Sequence, residues 1–521
     1  MSTAPVEATD QEPSEPARPG FRFPSAVTVL VLVTLLVWVA ALLIPAGQYQ
    51  TDPDGAPIAG TYERVPSPLS FGEKLVQLIL SPINGVYGIQ DLDTGFVDTE
   101  NLGRLFGSIG VVVFILALGA FISVSFATRS LEVAVAGLAA RLQRHGWLLI
   151  AVVMVLFSLL GSTMGFSVET FGFYALLLPL MAAMGYDRMT AVATIILGAL
   201  VGAMASTVNP FSIGVASGEA GTSIGDGIVL RVVLWVVLTA LAVGYVIRYA
   251  QRVKRDPTRS LTGAGAVATE PEPGPAAGAR LTATQRWVLG ITAATFALMI
   301  FSVIPWSSIV GATATPAESE LYHEVAQVEP YWFELNWWFP QLAMLFFGAA
   351  LLVGLVARMG EQKLVSLIQR GMADMIGPAI VIVLARGVAV IMSNTQTLDT
   401  VLHAMEQAVS GTSAGGFAVL VALVNTPLAF LIPSSSGHAT LAMPLLAPLS
   451  DFAGVSRPLT ITAYQMGHGF MLLFSPTNVV VVGGLAIAQV GYNTYLRFVA
   501  PLLGIVLVTT CVILVLAASF E

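Results

Sequence analysis

The chain has 521 residues, 56% of them hydrophobic and only 10% charged, with a mean hydropathy of +0.81. Soluble domains carry about 25% charged residues, so a soluble enzyme or nucleic-acid binder is excluded and a polytopic membrane protein is indicated. The net charge of −8 reflects acidic extramembrane segments, and the single cysteine, Cys511, excludes an internal disulfide and any cysteine-ligated metal.

Residues 1–20, MSTAPVEATDQEPSEPARPG, are acidic and proline-rich and read as a disordered tail. Pro24 to Pro45 is long enough to cross a bilayer and too long for a signal-peptide core, so it reads as an uncleaved first helix. Apolar runs of spanning length follow near 106–127, 228–250, 286–305, 339–357, 375–394 and 496–519, the first lying at 26–46. Two regions, 146–218 and 416–490, hold shorter apolar pieces cut by Gly, Ser, Thr, Asn and Pro.

Lysine and arginine placement sets the orientation. The segment 247–288 holds seven arginines and lysines and is cytoplasmic; its middle, 262–279, is a low-complexity linker. Residues 306–338 carry five glutamates and no Lys or Arg, followed by Trp332, Trp337 and Trp338 as an interfacial belt, and face out. The mainly acidic 47–105 also faces out, while Arg129, Arg141 and Arg144 put 128–145 inside. The N-terminus is then inside the cytoplasmic membrane and the C-terminus outside.

The chain repeats itself. At an offset of 269, LLLPLMAAMGYDR (176–188) falls on LLAPLSDFAGVSR (445–457), and STVN (206–209) falls on SPTN (475–478). Pro, Arg and Asn matches in fixed register are not expected of apolar sequence by chance. The first copy begins inside and the connecting helix makes the second begin outside, which gives two inverted repeats, the architecture of many secondary transporters. The expected fold is an all-α polytopic protein of about nine transmembrane helices plus two re-entrant hairpins. Its parts are a first repeat at 21–250, with hairpin 147–184 and broken helix 189–218; a linker at 251–285; a connecting helix and outer loop at 286–334; and a second repeat at 335–521, with hairpin 416–453 and broken helix 458–490. Each hairpin arm is read as about 15–18 residues, short for a span and suited to entering halfway and returning.

In LLFSPTNVVVVGG (472–484), four residues interrupt a membrane helix. Non-helical backbone survives at that depth only where protein buries it or it lines a polar cavity, and such breaks turn half-helix N–H groups toward anions and carbonyls toward cations. The breaks are therefore read as a binding site. One cluster joins Ser162, Thr163 and Gly165 to Ser206, Thr207 and Asn209; the other joins Ser434, Ser435, Ser436 and Gly437 to Ser475, Thr477 and Asn478. Rings of hydroxyl, amide and carbonyl oxygens suit sodium, and N–H groups with hydroxyls suit a carboxylate; the competing role for these residue types is close helix packing.

Four ionisable positions stand out, because charge in a membrane is costly and functional by default. Glu169 is a candidate for carrying a coupling proton, holding a cation or binding a substrate ammonium, with a structural partnership to Arg386 as the alternative. Arg386, mid-helix in IVIVLARGVAVIM, is a candidate for a substrate carboxylate or for bridging the helix breaks. His438 and His468 are candidates for ligating substrate or titrating, against the commoner role of a satisfied hydrogen-bonder. Arg188 and Arg457 fall in turns and read as structural, and SNTQT (393–397) reads as a helix cap. With only three lysines and no phosphate-binding loop, and with no H-E-x-x-H, neither an ATP-driven pump nor an intramembrane hydrolase of the H-E-x-x-H type has support.

The segments GSTMGFSVETFGFYALLLPLMAAMGYD, ASTVNPFSIGVASGEAG, LIPSSSGHATLAMPLLAPLSD and QMGHGFMLLFSPTNVVVVGGLAIAQVGYNTYLRF resemble the YfcC family of the C4-dicarboxylate anaerobic carrier group, within the ion transporter superfamily. One departure is GFSVET, where relatives often carry two consecutive acidic residues and Val168 replaces the first. The resemblance implies a homodimer, an elevator motion of a mobile domain built from hairpins and broken helices, and substrate held between the hairpin tips. The candidate residues for substrate are then Ser162, Thr163, Gly165, Glu169, Asn209, Arg386, Ser435, Ser436, Gly437, His438, Thr477 and Asn478. Those for a coupling ion are Ser162, Ser206, Thr207, Asn209, Ser434, Ser475, Thr477 and Asn478. The expected activity is ion-coupled transport or exchange of a small carboxylate-bearing metabolite, a dicarboxylate or an amino acid, with sodium or protons as coupling ion and no cofactor. A basic amino-acid antiporter is the first alternative, and a passive channel or intramembrane enzyme a distant one.

Overall fold

An apolar chain in a bilayer has no water to satisfy its N–H and C=O groups, so it satisfies them internally as helix. A computed structural model describes residues 26–50, 57–91, 94–142, 145–262, 280–307, 315–316, 326–327, 331–409 and 411–520. The tail 1–20, most of the 262–279 linker, Arg144 and much of the outer loop lie outside the described residues. Among the described residues the protein is nearly all helical, and its strands are two or three residues long and pair into small ribbons. Eight helical stretches among the described residues are long and apolar enough to cross a membrane.

Six of the seven continuous spans expected from hydropathy are among those eight: Ile109–Phe126, Ile228–Arg255, Ala283–Val303, Phe339–Val356, the end of Glu361–Asn394, and Tyr492–Ala518. The seventh is Ala26–Leu43. The remaining two of the eight are the first hairpin arms, Gly146–Met164 and Ala414–Leu431, at 19 and 18 residues. Against the expected 15–18 residues, these two first arms match Ile109–Phe126 in length, so their length does not distinguish them from spans.

Two helices were not expected. Residues 47–105, read only as an outer segment, contain Phe71–Tyr87, opened by a capping box between Ser70 and Glu73. An amphipathic counterpart, Glu361–Asp374, precedes Ile376–Asn394. Phe71–Tyr87 packs on Ile376–Asn394, and Glu361–Asp374 packs on Ile109–Phe126. Each crossing is a glycine contact: a Cβ on Gly85 would stand 2.8 Å from the Gly387 nitrogen, and one on Gly371 would stand 2.2 Å from the Gly119 oxygen. Ala26–Leu43 likewise packs on Ile376–Asn394, and Phe339–Val356 on Ile109–Phe126. These helices form an outer set in which each half of the chain leans on the other.

The inner set holds the hairpins, the broken helices and the long helices Ile228–Arg255 and Tyr492–Ala518. Gly146–Met164 packs on Arg188–Met204, and Ala414–Leu431 packs on Arg457–Leu472. The turns before both broken helices use a glycine at positive φ, Gly185 and Gly454, followed by a side-chain N-cap, Asp187 and Ser456. Arg188 and Arg457 sit in these turns: Arg457 pairs with Asp451 at 2.6 Å and donates to the Ala220 carbonyl, while Arg188 donates to Gln489. Asn394, in the segment read as a cap, also accepts from the Val97 N–H at 2.7 Å and donates to Gln77.

On the outer edge, the ribbon Gly47–Gln48/Glu63–Arg64 clasps the amphipathic arm Leu398–Val409. Tyr49 donates to Glu406 at 2.5 Å, Gly60 N–H donates to the same carboxylate at 3.1 Å, and Tyr62 stacks on His403 at 4.2 Å. Burial raises the Glu406 carboxyl, yet donations from Tyr49, His403 and Gly60 outweigh it and leave it below the usual range.

Two outcomes follow. Gly371→Val should lower the apparent melting temperature of the purified protein, since overpacking costs about 1–3 kcal/mol; Gly377→Ala, where a Cβ meets nothing within 4 Å, should not lower it. Because the Glu406 value is depressed on folding, the clasp contributes fully above the unfolded carboxylate value and fades as pH falls through the folded one. Melting temperatures of wild type and Tyr49→Phe should differ at neutral pH and converge in acid.

Candidate substrate site between the hairpin tips

The two breaks are built alike. Arg188–Met204 gives way to an extended stretch ending at Asn209, which caps the π-turn Pro210–Gly214 by accepting from the Phe211 N–H at 3.0 Å. Arg457–Leu472 gives way to a stretch ending at Asn478, which caps Val479–Ile487 by accepting from the Val480 N–H at 3.0 Å. An amide serves both ends of the interruption: Asn478 also donates to the Leu472 carbonyl at 2.7 Å. The broken helices touch where Gln465 donates to the Ala203 carbonyl at 2.8 Å.

The tips differ. Gly146–Met164 ends in left-handed Gly165 (φ +72°), and the chain passes through the 3₁₀ turn Val168–Phe173 into Tyr174–Ala183. Ala414–Leu431 instead runs through Ile432 and Pro433 to Ser434, the N-cap of Ser435–Phe452. Gly165 and Gly437 are therefore not equivalent: Gly437 lies inside the helix, where a Cβ would meet Val381 Cγ1 at 2.2 Å.

A cavity of about 430 Å³ lies between these four features. Gly165, Ser167 and Glu169 line it from the first tip, Asn209 and Phe211 from the first break, Ser434, Ser435 and Ser436 from the second tip, and Thr477 and Asn478 from the second break. Gln465 and His468 line it from Arg457–Leu472. A second cavity, about 420 Å³ between Ala26–Leu43, Ile376–Asn394 and the second hairpin, is lined almost wholly by aliphatic side chains and offers a polar solute little. Glu169 is the one acidic side chain on the first cavity, and among the described residues no lysine or arginine lines it. Its Oε2 accepts from the Ser167 N–H at 3.0 Å, which aligns it to the tip.

Several expected residues stand behind the lining. Ser162 is fully buried; its hydroxyl donates to the Ala205 carbonyl at 2.9 Å and accepts from the Thr207 N–H at 3.0 Å, tying the hairpin to the break. Thr163 donates to Leu159 O, and Ser206 donates to Ala203 O while receiving the Asn209 amide. Ser475 bonds Thr477 at 2.7 Å, and Thr477 also reaches Phe430 O. Gly437 serves packing against Ile376–Asn394. His438 does not line the cavity; its Nδ1 meets His468 Nδ1 at 2.9 Å, and both Nε2 atoms are buried without a protein partner.

Arg386 is also corrected. Its partner is Glu219, not Glu169, and its Nε donates to the Phe106 carbonyl at 2.8 Å, with the guanidinium 3.9 Å from the Phe106 ring centroid. It touches neither break. Glu219 and Gln465 were both missed, although each is a polar group set in an apolar stretch beside a break.

Known structures share this polytopic fold, and with the family match they make the chain a membrane transporter and not an enzyme. The YdaH transporter of Alcanivorax borkumensis superposes with a TM-score of 0.67 at 16% identity, covering 95% of this chain and 99% of its own. MtrF of Neisseria gonorrhoeae, described with a class of antimetabolite efflux pumps, gives 0.62 at 15%, covering 95% of each. Residues 23–519 match the C4-dicarboxylate anaerobic carrier family, and the chain belongs to it. Among its relatives are an uncharacterized protein of Haemophilus influenzae, 27% identical, and an Escherichia coli protein named "Putative basic amino acid antiporter YfcC", 26% identical; each comparison covers 96% of this chain and 97% of the relative.

Loss of the shared cap has a measurable cost. Asn478→Ala should destabilise the protein by about 0.5–2 kcal/mol, while Asn478→Ser, which keeps a capping oxygen, should retain most of the wild-type melting temperature.

Proposed function

We propose that this chain is a secondary transporter that exchanges amino acids bearing an ammonium group, the cationic ones foremost. The observation behind this is the charge of the cavity: one carboxylate, Glu169, and no lysine or arginine among the described residues. A dicarboxylate would bring two negative charges toward Glu169 without a counter-cation, because Arg386 is paired elsewhere. An amino acid brings its own. Its ammonium would meet Glu169 and its carboxylate the second tip, where the first N–H groups of the 18-residue helix Ser435–Phe452 lack intrahelical acceptors and the helix dipole favours an anion. The name of the Escherichia coli relative points the same way.

In this reading the polar clusters behind the lining hold hairpins to breaks, and a coupling sodium or proton is secondary to exchange. The architecture that suits it is the expected one: two inverted repeats with re-entrant hairpins, a homodimer in the cytoplasmic membrane with its N-terminus inside, and an inner helix set that moves against the outer set. The family description favours a second reading, sodium-coupled transport of a dicarboxylate, in which hydroxyls and carbonyls of the two clusters would gather around the cation.

Thermal shift of the purified protein separates the two. A ligand bound only by the folded state stabilises it by about 2.7 kcal/mol at a hundredfold excess over its dissociation constant. Arginine or ornithine should raise the melting temperature without sodium, and Glu169→Gln should abolish that rise. Stabilisation by succinate that requires sodium would favour the second reading instead.

A further inference from the structure

Glu219 and Arg386 form an ion pair across the seam between the two helix sets. Glu219 lies on Val215–Ala220, just past the first break, with its side chain 3% exposed; Arg386 lies mid-helix in Ile376–Asn394 at 14%. Unlike the local pairs Asp256–Arg259, His403–Glu406 and Asp451–Arg457, it joins distant parts of the chain. The two ends are held unequally. Arg386 is anchored to the outer set by Phe106, through both its carbonyl and its ring, whereas Glu219 has Arg386 as its one side-chain partner among the described residues. A cavity of about 160 Å³, lined by both residues with Ser108, Gly218, Trp338 and Phe339, has room for water beside the pair.

We propose that Glu219 is a proton-binding site: its carboxylate takes up a proton when the inner set leaves the outer set, and Arg386 holds it ionised in the conformation seen here. This rests on the reading above that the sets move. Separation would leave a carboxylate buried without its counter-charge, which a low-dielectric surrounding does not tolerate. A proton taken up from bulk solvent and passed through water in the cavity neutralises it, converting carboxylate to carboxylic acid, while Arg386 stays a cation because guanidinium does not deprotonate in proteins. One positive charge is gained on separation and released when the pair re-forms. A metal cation fits less well: it needs several oxygen ligands, and Glu219 is the only carboxylate in a lining otherwise mostly apolar.

The neighbouring charges leave Glu219 with this role. Ile109–Phe126 and Phe339–Val356 contain no titratable side chain, and Ile376–Asn394 contains only Arg386. On Ser435–Phe452 and Arg457–Leu472, which pack against Val215–Ala220, the ionisable groups are His438, Asp451, Arg457, Tyr464 and His468. The imidazoles bond each other, Tyr464 donates to Ser435 O, and Arg457 pairs with Asp451 while donating to Ala220 O, one residue from Glu219.

Hydrogen exchange on the purified full chain, without substrate, tests this. On going from about pH 8 to about pH 5, with intrinsic rates corrected, peptides covering 105–110 and 215–220 should exchange about ten-fold faster as the seam opens. Glu219→Gln should exchange fast at both pH values, and Glu219→Asp should follow wild type. A wild-type seam indifferent to pH, or a Glu219→Gln protein that keeps the wild-type pH response, would overturn the proposal. Should Glu219→Gln fail to fold, Arg386→Gln gives the same reading, since loss of the guanidinium leaves the seam open at both pH values. No substrate enters this measurement, so failure of arginine to stabilise the protein would sink the exchange reading alone.

Discussion

Everything in this protein follows from the cost of leaving a backbone polar group unpaired in a bilayer. Long helices meet that demand trivially, and most of the chain is such helix. The exceptions are the two breaks and the two tips, and each is satisfied by a specific side chain. Asn209 and Asn478 stand in for the missing turn, and Ser162 and Thr477 bond across from hairpin to break. Small residues make these bonds because only they fit where helices approach closely. The polar clusters thus serve first to make non-helical backbone tolerable, and the cavity is the space their geometry leaves open.

Charge is distributed with the same economy. Among the described residues the cavity holds one carboxylate and no lysine or arginine, and a cationic side chain that hydropathy marks as exceptional is neutralised at another site. Separating Glu169 from Arg386 lets one carboxylate face a solute while the other fastens two bodies together. Had the pair been Glu169–Arg386, the carboxylate on the cavity would be neutralised by a guanidinium.

The outer set gives the inner one something to lean on. Its helices cross through glycines, Gly85 on Gly387 and Gly371 on Gly119, so backbones meet without intervening side chains. The apolar helix of each half packs against the second span of the other half, so neither half completes its packing alone. The clasp of Tyr49 and Tyr62 on Leu398–Val409 extends the same exchange outside the membrane.

Hydropathy and breaks are local properties, and the sequence carried them plainly. The continuous spans fall where the apolar runs predict, and the interruptions at SPTN and STVN mark the helix ends, because an apolar run or a proline acts on its own neighbours whatever surrounds them. Phe71–Tyr87 escaped notice because its polar face, Gln77, Ser81 and Asn84, is the buried one, an inversion that no periodicity in a presumed outer loop would signal. Which polar residues line the cavity, and which sit behind it, was equally out of reach. Ser162 and Ser435 look alike in sequence, and only packing turns the first into a staple and leaves the second at the cavity wall. The partner of Arg386 was decided by tertiary structure as well: Glu219 is 167 residues away along the chain, and nothing in the local chemistry of either residue distinguishes it from Glu169. Local sequence fixes where a helix runs and where it stops; which charges meet depends on how helices far apart in the chain are brought together.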